Sequence, residues 1–123
     1  MKVILIIDDD PDFLSSLRLT LESAGYEVVS ATGAAEGLTL FRERKPDLVI
    51  SDIMMERIDS GIRFARDIRE IDTAVPVFLL SDIGRITAEN LEAYRLECDG
   101  VFQKPFRIDE LLERIALALR ERS

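Results

Sequence analysis

Three aspartates, Asp8, Asp9 and Asp10, come directly after a run of five apolar residues, Val3–Ile7. A continuous apolar run of this length is typical of a strand buried on both faces, as in a parallel sheet. Carboxylates packed so closely repel one another and lose hydration, so they stay ionised only where a cation or hydrogen bonds compensate. In open α/β sheets, ligands bind outside the carboxyl ends of the strands. The triplet therefore predicts a divalent-cation site.

Other reactive groups follow the later apolar runs. Asp52 ends the third predicted strand, Ser81 and Asp82 follow the fourth, and Lys104 follows the fifth. Because parallel strands share one carboxyl edge, we expect these groups to converge there. A cation such as Mg²⁺ takes carboxylate, water and phosphate oxygens as ligands, an aspartate can act as a nucleophile, and a lysine and a hydroxyl can hold phosphoryl oxygens. The set points to phosphoryl transfer onto a carboxylate.

The elements that must position these groups alternate between strand and helix. Apolar runs predict strands at 3–7, 26–30, 48–51, 75–80 and 100–103. Apolar residues at helical spacing predict helices that start after Asp10, near Ala35, near Gly61, near Thr87 and at Ile108. Short connections imply right-handed crossovers between parallel strands. We therefore expect an α/β fold with one doubly wound (βα)5 parallel sheet, flavodoxin-like strand order 2-1-3-4-5, and a single domain over residues 1–123.

The composition narrows the class of protein. The net charge is −8 and no stretch is basic, so we expect no direct binding to nucleic acid or to a membrane surface. Histidine is absent, which removes histidine-based catalysis and most zinc sites. Cys98 is the single cysteine, which excludes an internal disulfide and suits a reducing compartment. No apolar run approaches membrane-spanning length, and we expect a cytoplasmic protein.

The sequence resembles the receiver domains of bacterial two-component response regulators, the chemotaxis-regulator-like superfamily, over its whole length. Four segments carry the resemblance: Val-Ile-Leu-Ile-Ile-Asp-Asp-Asp-Pro-Asp (3–12), Pro-Asp-Leu-Val-Ile-Ser-Asp-Ile-Met-Met (46–55), Val-Pro-Val-Phe-Leu-Leu-Ser (75–81) and Lys-Pro-Phe (104–106). Each segment alone is a weak signal. All four together, in order and at the ends of alternate elements, are highly specific.

The resemblance implies a phosphorylation site. Asp52 corresponds to the aspartate that accepts the phosphoryl group, Ser81 to the switch hydroxyl that moves toward it, and Lys104 to the lysine that contacts it. The peptide bond between Lys104 and Pro105 is expected to be cis, which is accessible because the second residue is proline. Such a domain is not an enzyme toward other molecules, since it catalyses only its own phosphorylation and dephosphorylation.

The resemblance also implies a Mg²⁺ site. Asp9 would bind the ion directly and Asp8 through water, together with Asp52 and the backbone carbonyl of Met54. The third acid of the triplet, Asp10, precedes a proline and is best explained as the N-cap of the first helix, so we leave it out of the site.

Family members take the phosphoryl group from a histidine kinase or a histidine phosphotransfer protein. They then change the face made by the fourth helix, the fifth strand and the fifth helix, through which they bind a downstream effector or, when phosphorylated, a second copy. We expect the same partners here, for a stand-alone regulator or for a module of a longer protein.

The sequence departs from the family pattern in several places. The loop at 56–61 is one residue longer than usual, and Asp82 stands where a small residue usually follows the switch hydroxyl. Val101 replaces the aromatic residue that swings with the hydroxyl, and Phe102 should point to the opposite face of its strand. The two positions known to gate attacking water hold bulky residues, Met54 and Ile83.

Two other classes of protein compete with this interpretation. A pseudo-receiver would keep the fold as a binding module without being phosphorylated, which the departures at Asp82 and Val101 leave open. A haloacid-dehalogenase-like phosphatase also begins with a strand and Asp-x-Asp, as Asp8 and Asp10 provide. That family needs a further acidic pair at the end of a strand after its lysine. The only candidate is Asp109-Glu110, which is predicted to open the last helix.

Overall fold

A computed structural model of the chain describes residues 1–53, 60–82 and 98–122. Five strands form one parallel sheet: β1 (Val3–Ile7), β2 (Glu27–Ala31), β3 (Leu48–Asp52), β4 (Val77–Asp82) and β5 (Gly100–Lys104). The strand order is β2-β1-β3-β4-β5, and all four pairings are parallel. The predicted α/β class and strand order are therefore confirmed.

Within the described residues, four helices accompany the sheet: α1 (Pro11–Ser23), α2 (Ala34–Arg44), α3 (Ser60–Ile71) and the C-terminal helix (Ile108–Arg122). The helix predicted over about 87–96 lies outside the described residues. None of the helices in the described ranges is long and apolar enough to span a membrane.

Local residue chemistry sets the ends of α1. The Asp10 side chain accepts hydrogen bonds from the backbone N–H groups of Asp12 and Phe13, and Pro11 occupies the first turn, as expected for an acidic N-cap followed by proline. The chain leaves the helix at Gly25, whose φ of 97° is readily adopted only by glycine. The predicted role of Asp10 as a cap is thus confirmed.

The alternation of side chains along the strands builds a core on each face of the sheet. One face packs against α1 and the C-terminal helix, with a core that includes Ile4, Ile6, Leu14, Leu17, Leu21, Phe78, Leu111, Ile115 and Leu119. The other face packs against α2 and α3, with a core that includes Leu5, Ile7, Phe41, Phe64, Ala65, Ile68, Leu79 and Cys98. Helices on both faces make the sheet doubly wound and leave its carboxyl edge available for a site.

The fourth strand differs from its predicted bounds. It begins at Val77 rather than at Val75 and continues through Ser81 and Asp82. Pro76 lies just before the strand, where its missing N–H is not needed, and its carbonyl accepts a hydrogen bond of 3.0 Å from the N–H of Val49. Ser81 and Asp82 are therefore fixed by strand pairing rather than placed in a loop.

A close approach between α2 and the sheet depends on Gly37. A Cβ atom at this position would lie 3.1 Å from Ile7 Cγ1 and 3.1 Å from Phe64 Cε1. Helical spacing predicts that Ala35, Leu38 and Phe41 form the buried stripe of this helix. Phe41 is buried and Leu38 packs against the core, but Ala35 is exposed and Gly37 is buried. Because glycine has no side chain that would mark it as a core residue, the pattern misses Gly37 and wrongly includes Ala35.

Candidate functional site

Three carboxylates meet at the carboxyl edge of the sheet. Asp8 and Asp9 follow β1 and Asp52 ends β3, which is the neighbouring strand. One ligand oxygen from each of the three lies within 4.8 Å of the other two. Asp8 is buried, Asp52 is half-buried and Asp9 is exposed. The predicted convergence of these residues is therefore observed, and the cluster opens to solvent on the side of Asp9.

Lys104 reaches the cluster from the far edge strand. It ends β5, which is separated from β1 by two strands, yet its Nζ atom lies 2.7 Å from Asp8 Oδ2. The other oxygen of that carboxylate, Oδ1, accepts a hydrogen bond of 2.9 Å from the N–H of Asp10. Only 2% of the Asp8 side chain is exposed, so these two donors supply the compensation that a buried carboxylate requires.

The donor set suits a hard divalent cation. Carboxylate oxygens are the ligands that Mg²⁺ prefers, at about 2.1 Å, so that ligands on opposite sides of the ion lie about 4.2 Å apart. Oxygens within 4.8 Å of one another can meet this geometry after small side-chain rotations or through an intervening water. The residues at this edge therefore fit Mg²⁺, with Asp9 and Asp52 the more accessible ligands.

The hydroxyl of Ser81 lies on the same edge in β4. It is 3% exposed, and its Oγ donates a hydrogen bond of 3.0 Å to the backbone carbonyl of Asp82. The Asp82 side chain is exposed, and this residue is the register partner of Lys104 in β5. If the hydroxyl moved toward a ligand at Asp52, it would therefore give up its hydrogen bond to the carbonyl of Asp82 and donate to that ligand instead.

The two residues in the middle of β5 face opposite sides of the sheet. Val101 packs against the core under α2 and α3. Phe102 packs against the core under α1 and the C-terminal helix, where its ring contacts Phe78 with a centroid distance of 5.5 Å. The prediction that Phe102 cannot take the place of an aromatic residue at position 101 is confirmed.

One contact at the site was not predicted from the sequence. Lys104 Nζ lies 4.1 Å from the centroid of the Phe13 ring, so a ring in the first turn of α1 covers the ammonium group. The sequence gives little signal for this contact, because Phe13 also packs against the core that contains Leu14 and Leu17 and so fits the apolar face of α1.

The remaining site predictions have mixed outcomes. The peptide bond between Lys104 and Pro105 is cis, as expected. Met54 and Ile83, together with most of the lengthened loop, lie outside the described residues, so the proposed carbonyl ligand and the two water-gating positions stay predictions.

The acidic pair that a phosphatase of the haloacid-dehalogenase type would need is not at a strand end. Asp109 and Glu110 lie in the first turn of the C-terminal helix. A hydrogen bond from the Arg107 guanidinium lowers the pKa of Asp109, and Nη2 of that arginine is 2.9 Å from its carboxylate. This pair belongs to the solvent-exposed start of a helix, so the structure does not support the phosphatase alternative.

Comparisons with known proteins agree with this geometry. The family model of the response regulator receiver domain matches residues 4–116. The DNA-binding dual master transcriptional regulator RpaA of Synechocystis is 35% identical, and the match covers 98% of this chain and 50% of that protein. The chain thus spans about half the length of the first curated relatives that it matches.

Solved structures show the same fold. A response regulator receiver domain protein from Clostridium thermocellum superposes with a TM-score of 0.88 at 30% identity, covering 98% of this chain and 96% of that one. The response regulator protein TrrA from Thermotoga maritima, solved in complex with Mg²⁺-BeF, has a TM-score of 0.84 at 32% identity, covering 96% of this chain and 99% of that one. With a family match over nearly its whole length, this chain belongs to the response regulator receiver domains, the signal-receiving units of two-component systems.

Proposed function

We propose that this chain is a phospho-accepting receiver that takes a phosphoryl group onto Asp52 from a histidine kinase or a histidine phosphotransfer protein. The observation that carries the proposal is the meeting of Asp8, Asp9 and Asp52 within 4.8 Å beside the ammonium of Lys104. A pseudo-receiver has no need to keep three carboxylates and a lysine together, since like charges at this spacing are unfavourable without a ligand.

In the proposed reaction, a carboxylate oxygen of Asp52 attacks the phosphorus atom of a phosphohistidine. A phosphorus–oxygen bond forms as the phosphorus–nitrogen bond breaks, and the leaving imidazole nitrogen keeps the bonding electron pair and takes up a proton. Bound Mg²⁺ would neutralise charge on the phosphoryl oxygens. We assign Asp9 and Asp52 as direct ligands, with the carbonyl of Met54, and Asp8 as a ligand through water, because both Asp8 oxygens already accept hydrogen bonds.

Lys104 would stabilise the transferred group. Its ammonium pairs with Asp8, and it can exchange that carboxylate for a phosphoryl oxygen at the same edge of the sheet as negative charge accumulates there. Ser81 would respond in parallel by turning its hydroxyl from the carbonyl of Asp82 toward the phosphoryl group. These movements of Lys104 and Ser81 would couple the charge at Asp52 to β5 and β4.

The output is proposed by analogy with the relatives. RpaA is a transcriptional regulator, and GlrR of Escherichia coli is another, 38% identical over a match that covers 96% of this chain and 26% of that protein. We propose that phosphorylation changes the face made by the predicted fourth helix, β5 and the C-terminal helix, and so controls binding to an effector or to a second phosphorylated copy.

The test is phosphorylation by a small donor, acetyl phosphate, in the presence of Mg²⁺. Wild-type protein should gain one hydroxylamine-labile phosphoryl group, detected by intact mass. Asp52→Asn should gain none, and Asp9→Asn should need more Mg²⁺ and react more slowly because one anionic ligand is lost. Asp10→Asn is the matched control: it changes an adjacent carboxylate but keeps an N-cap, so it should load like the wild type.

Two outcomes would contradict the proposal. Full loading of Asp52→Asn would show that the acceptor is another residue. If the wild type gained no phosphoryl group from acetyl phosphate or from a panel of phosphorylated histidine kinases, the chain would be a pseudo-receiver.

A further inference from the structure

The ammonium group of Lys104 lies between a buried carboxylate and the face of an aromatic ring. Its Nζ atom is 2.7 Å from Asp8 Oδ2 and 4.1 Å from the centroid of the Phe13 ring. Only 19% of the Lys104 side chain is exposed. The Phe13 ring is half-buried against the core under α1 and the C-terminal helix, and its face also lies toward this ammonium group.

Two contacts fix the position of this ring. The N–H of Phe13 donates a hydrogen bond of 3.3 Å to Oδ1 of Asp10, which holds the first turn of α1. The Phe106 ring packs against the Phe13 ring almost at right angles, with centroids 6.4 Å apart. The backbone bond fixes where the residue starts in the first turn, and the neighbouring ring packs against the Phe13 ring while its face lies toward Lys104.

We propose that Phe13 is a positioning residue that keeps the Lys104 ammonium at the sheet edge, where the phosphoryl group on Asp52 is to be held. An aromatic face attracts a cation through its quadrupole, whereas an aliphatic side chain of similar size does not. A lysine side chain is long and flexible, so confining it beforehand reduces the entropy lost when it engages a ligand. This inference rests on the function proposed above.

The contact itself can be observed in the unphosphorylated protein. The chain has three lysines, Lys2, Lys45 and Lys104, so a ¹³C-lysine spectrum contains few signals, and Lys104→Gln identifies the relevant one. Protons on the carbon next to Nζ should be shifted upfield by the ring current of Phe13, relative to the exposed Lys45. Phe13→Leu should abolish the upfield shift and Phe13→Tyr should keep it.

The effect on ligand binding is measured with beryllofluoride and Mg²⁺, which imitate the phosphoryl group. Phe13→Leu should bind beryllofluoride about three- to tenfold more weakly, the size expected for one cation–π contact, and Phe13→Tyr should restore wild-type binding. Phe102→Leu is the matched control: its ring belongs to the same row of aromatics but faces Arg114, at 5.6 Å, so binding should not change.

Thermal unfolding checks that each variant is folded, and Phe13→Met replaces the leucine variant if that one does not fold. The positioning role would be overturned if the Lys104 protons of the wild type had the same chemical shift as those of Lys45. It would also be overturned if Phe13→Leu bound beryllofluoride as tightly as the wild type or more tightly. Failure of the proposed function looks different. In that case the wild type would show the ring-current shift yet bind no beryllofluoride and gain no phosphoryl group, which would overturn the role while leaving the contact in place.

Discussion

Asp82 places an additional carboxylate at the same edge of the sheet as the proposed acceptor. It is exposed at the end of β4 and is the register partner of Lys104. A negative charge here repels an incoming phosphodonor, which is itself an anion. Because water and salt screen an exposed charge, the repulsion is worth on the order of 1 kcal/mol or less.

We therefore expect Asp82→Ala to speed phosphorylation by acetyl phosphate by about two- to fivefold at low ionic strength. The gain should shrink as salt is added, since screening already weakens the repulsion in the wild type. Rates of loading at several salt concentrations measure both effects. If Asp82→Ala is phosphorylated at the wild-type rate in low salt, the negative charge of Asp82 does not repel the donor.

Ser81 provides the second prediction at the residue scale. Its hydroxyl donates to the carbonyl of Asp82 without a phosphoryl group, so phosphorylation offers it a competing, charged acceptor. Only such a differential interaction can shift a conformational population. Ser81→Ala should still accept a phosphoryl group on Asp52, but the phosphorylation-dependent change in partner binding should be much smaller.

The measurement compares the affinity of an isolated partner for the protein with and without beryllofluoride. Ser81→Thr, which keeps the hydroxyl, serves as the control. If the alanine variant responds to beryllofluoride as strongly as the wild type, the switch uses other groups.

At the scale of elements, the placement of Asp8, Asp9 and Asp52 at one edge of the sheet could be predicted because the ends of the strands are marked in the sequence. Apolar runs marked the strands, and the polar residue after each run identified the carboxyl edge. Lys104 was expected at this edge, but its particular partners could not be predicted, because the pairing with Asp8 joins residues 96 positions apart and depends on how a long side chain crosses two strands. Gly37 was missed for a related reason, since its burial comes from the approach of α2 to Ile7 and Phe64 rather than from its own hydrophobicity.

The N-terminal cap of α1 provides a prediction at this scale. Asp10 accepts two backbone hydrogen bonds at the start of the helix, and loss of such a cap costs about 1 kcal/mol. Asp10→Ala should lower the free energy of unfolding by roughly that amount, measured by urea denaturation. Asp10→Asn, which retains a capping oxygen, should be close to neutral, and a large loss in that variant would mean that the charge of Asp10 matters more than its cap.

At the scale of the whole molecule, the lifetime of the phosphoryl group determines how long a signal lasts. We propose that Met54 and Ile83 stand at the two positions that would gate attacking water, since both are bulky and neither side chain is suited to orient a water molecule by hydrogen bonding. We expect a long-lived phosphoryl group. Decay measured after removal of acetyl phosphate should extend well beyond seconds and should become faster in Met54→Asn, whereas complete loss within seconds would contradict the water-exclusion argument.

Chemical trapping tests whether the phosphoryl group resides on Asp52. Borohydride reduces an aspartyl phosphate to homoserine, so peptide sequencing by mass spectrometry after phosphorylation and reduction identifies the modified residue. We predict homoserine at position 52 and unmodified aspartate at Asp8, Asp9 and Asp82. Homoserine at any of those three positions would show that the acceptor is not Asp52. The same would follow if protein shown to carry the phosphoryl group contained no homoserine after reduction.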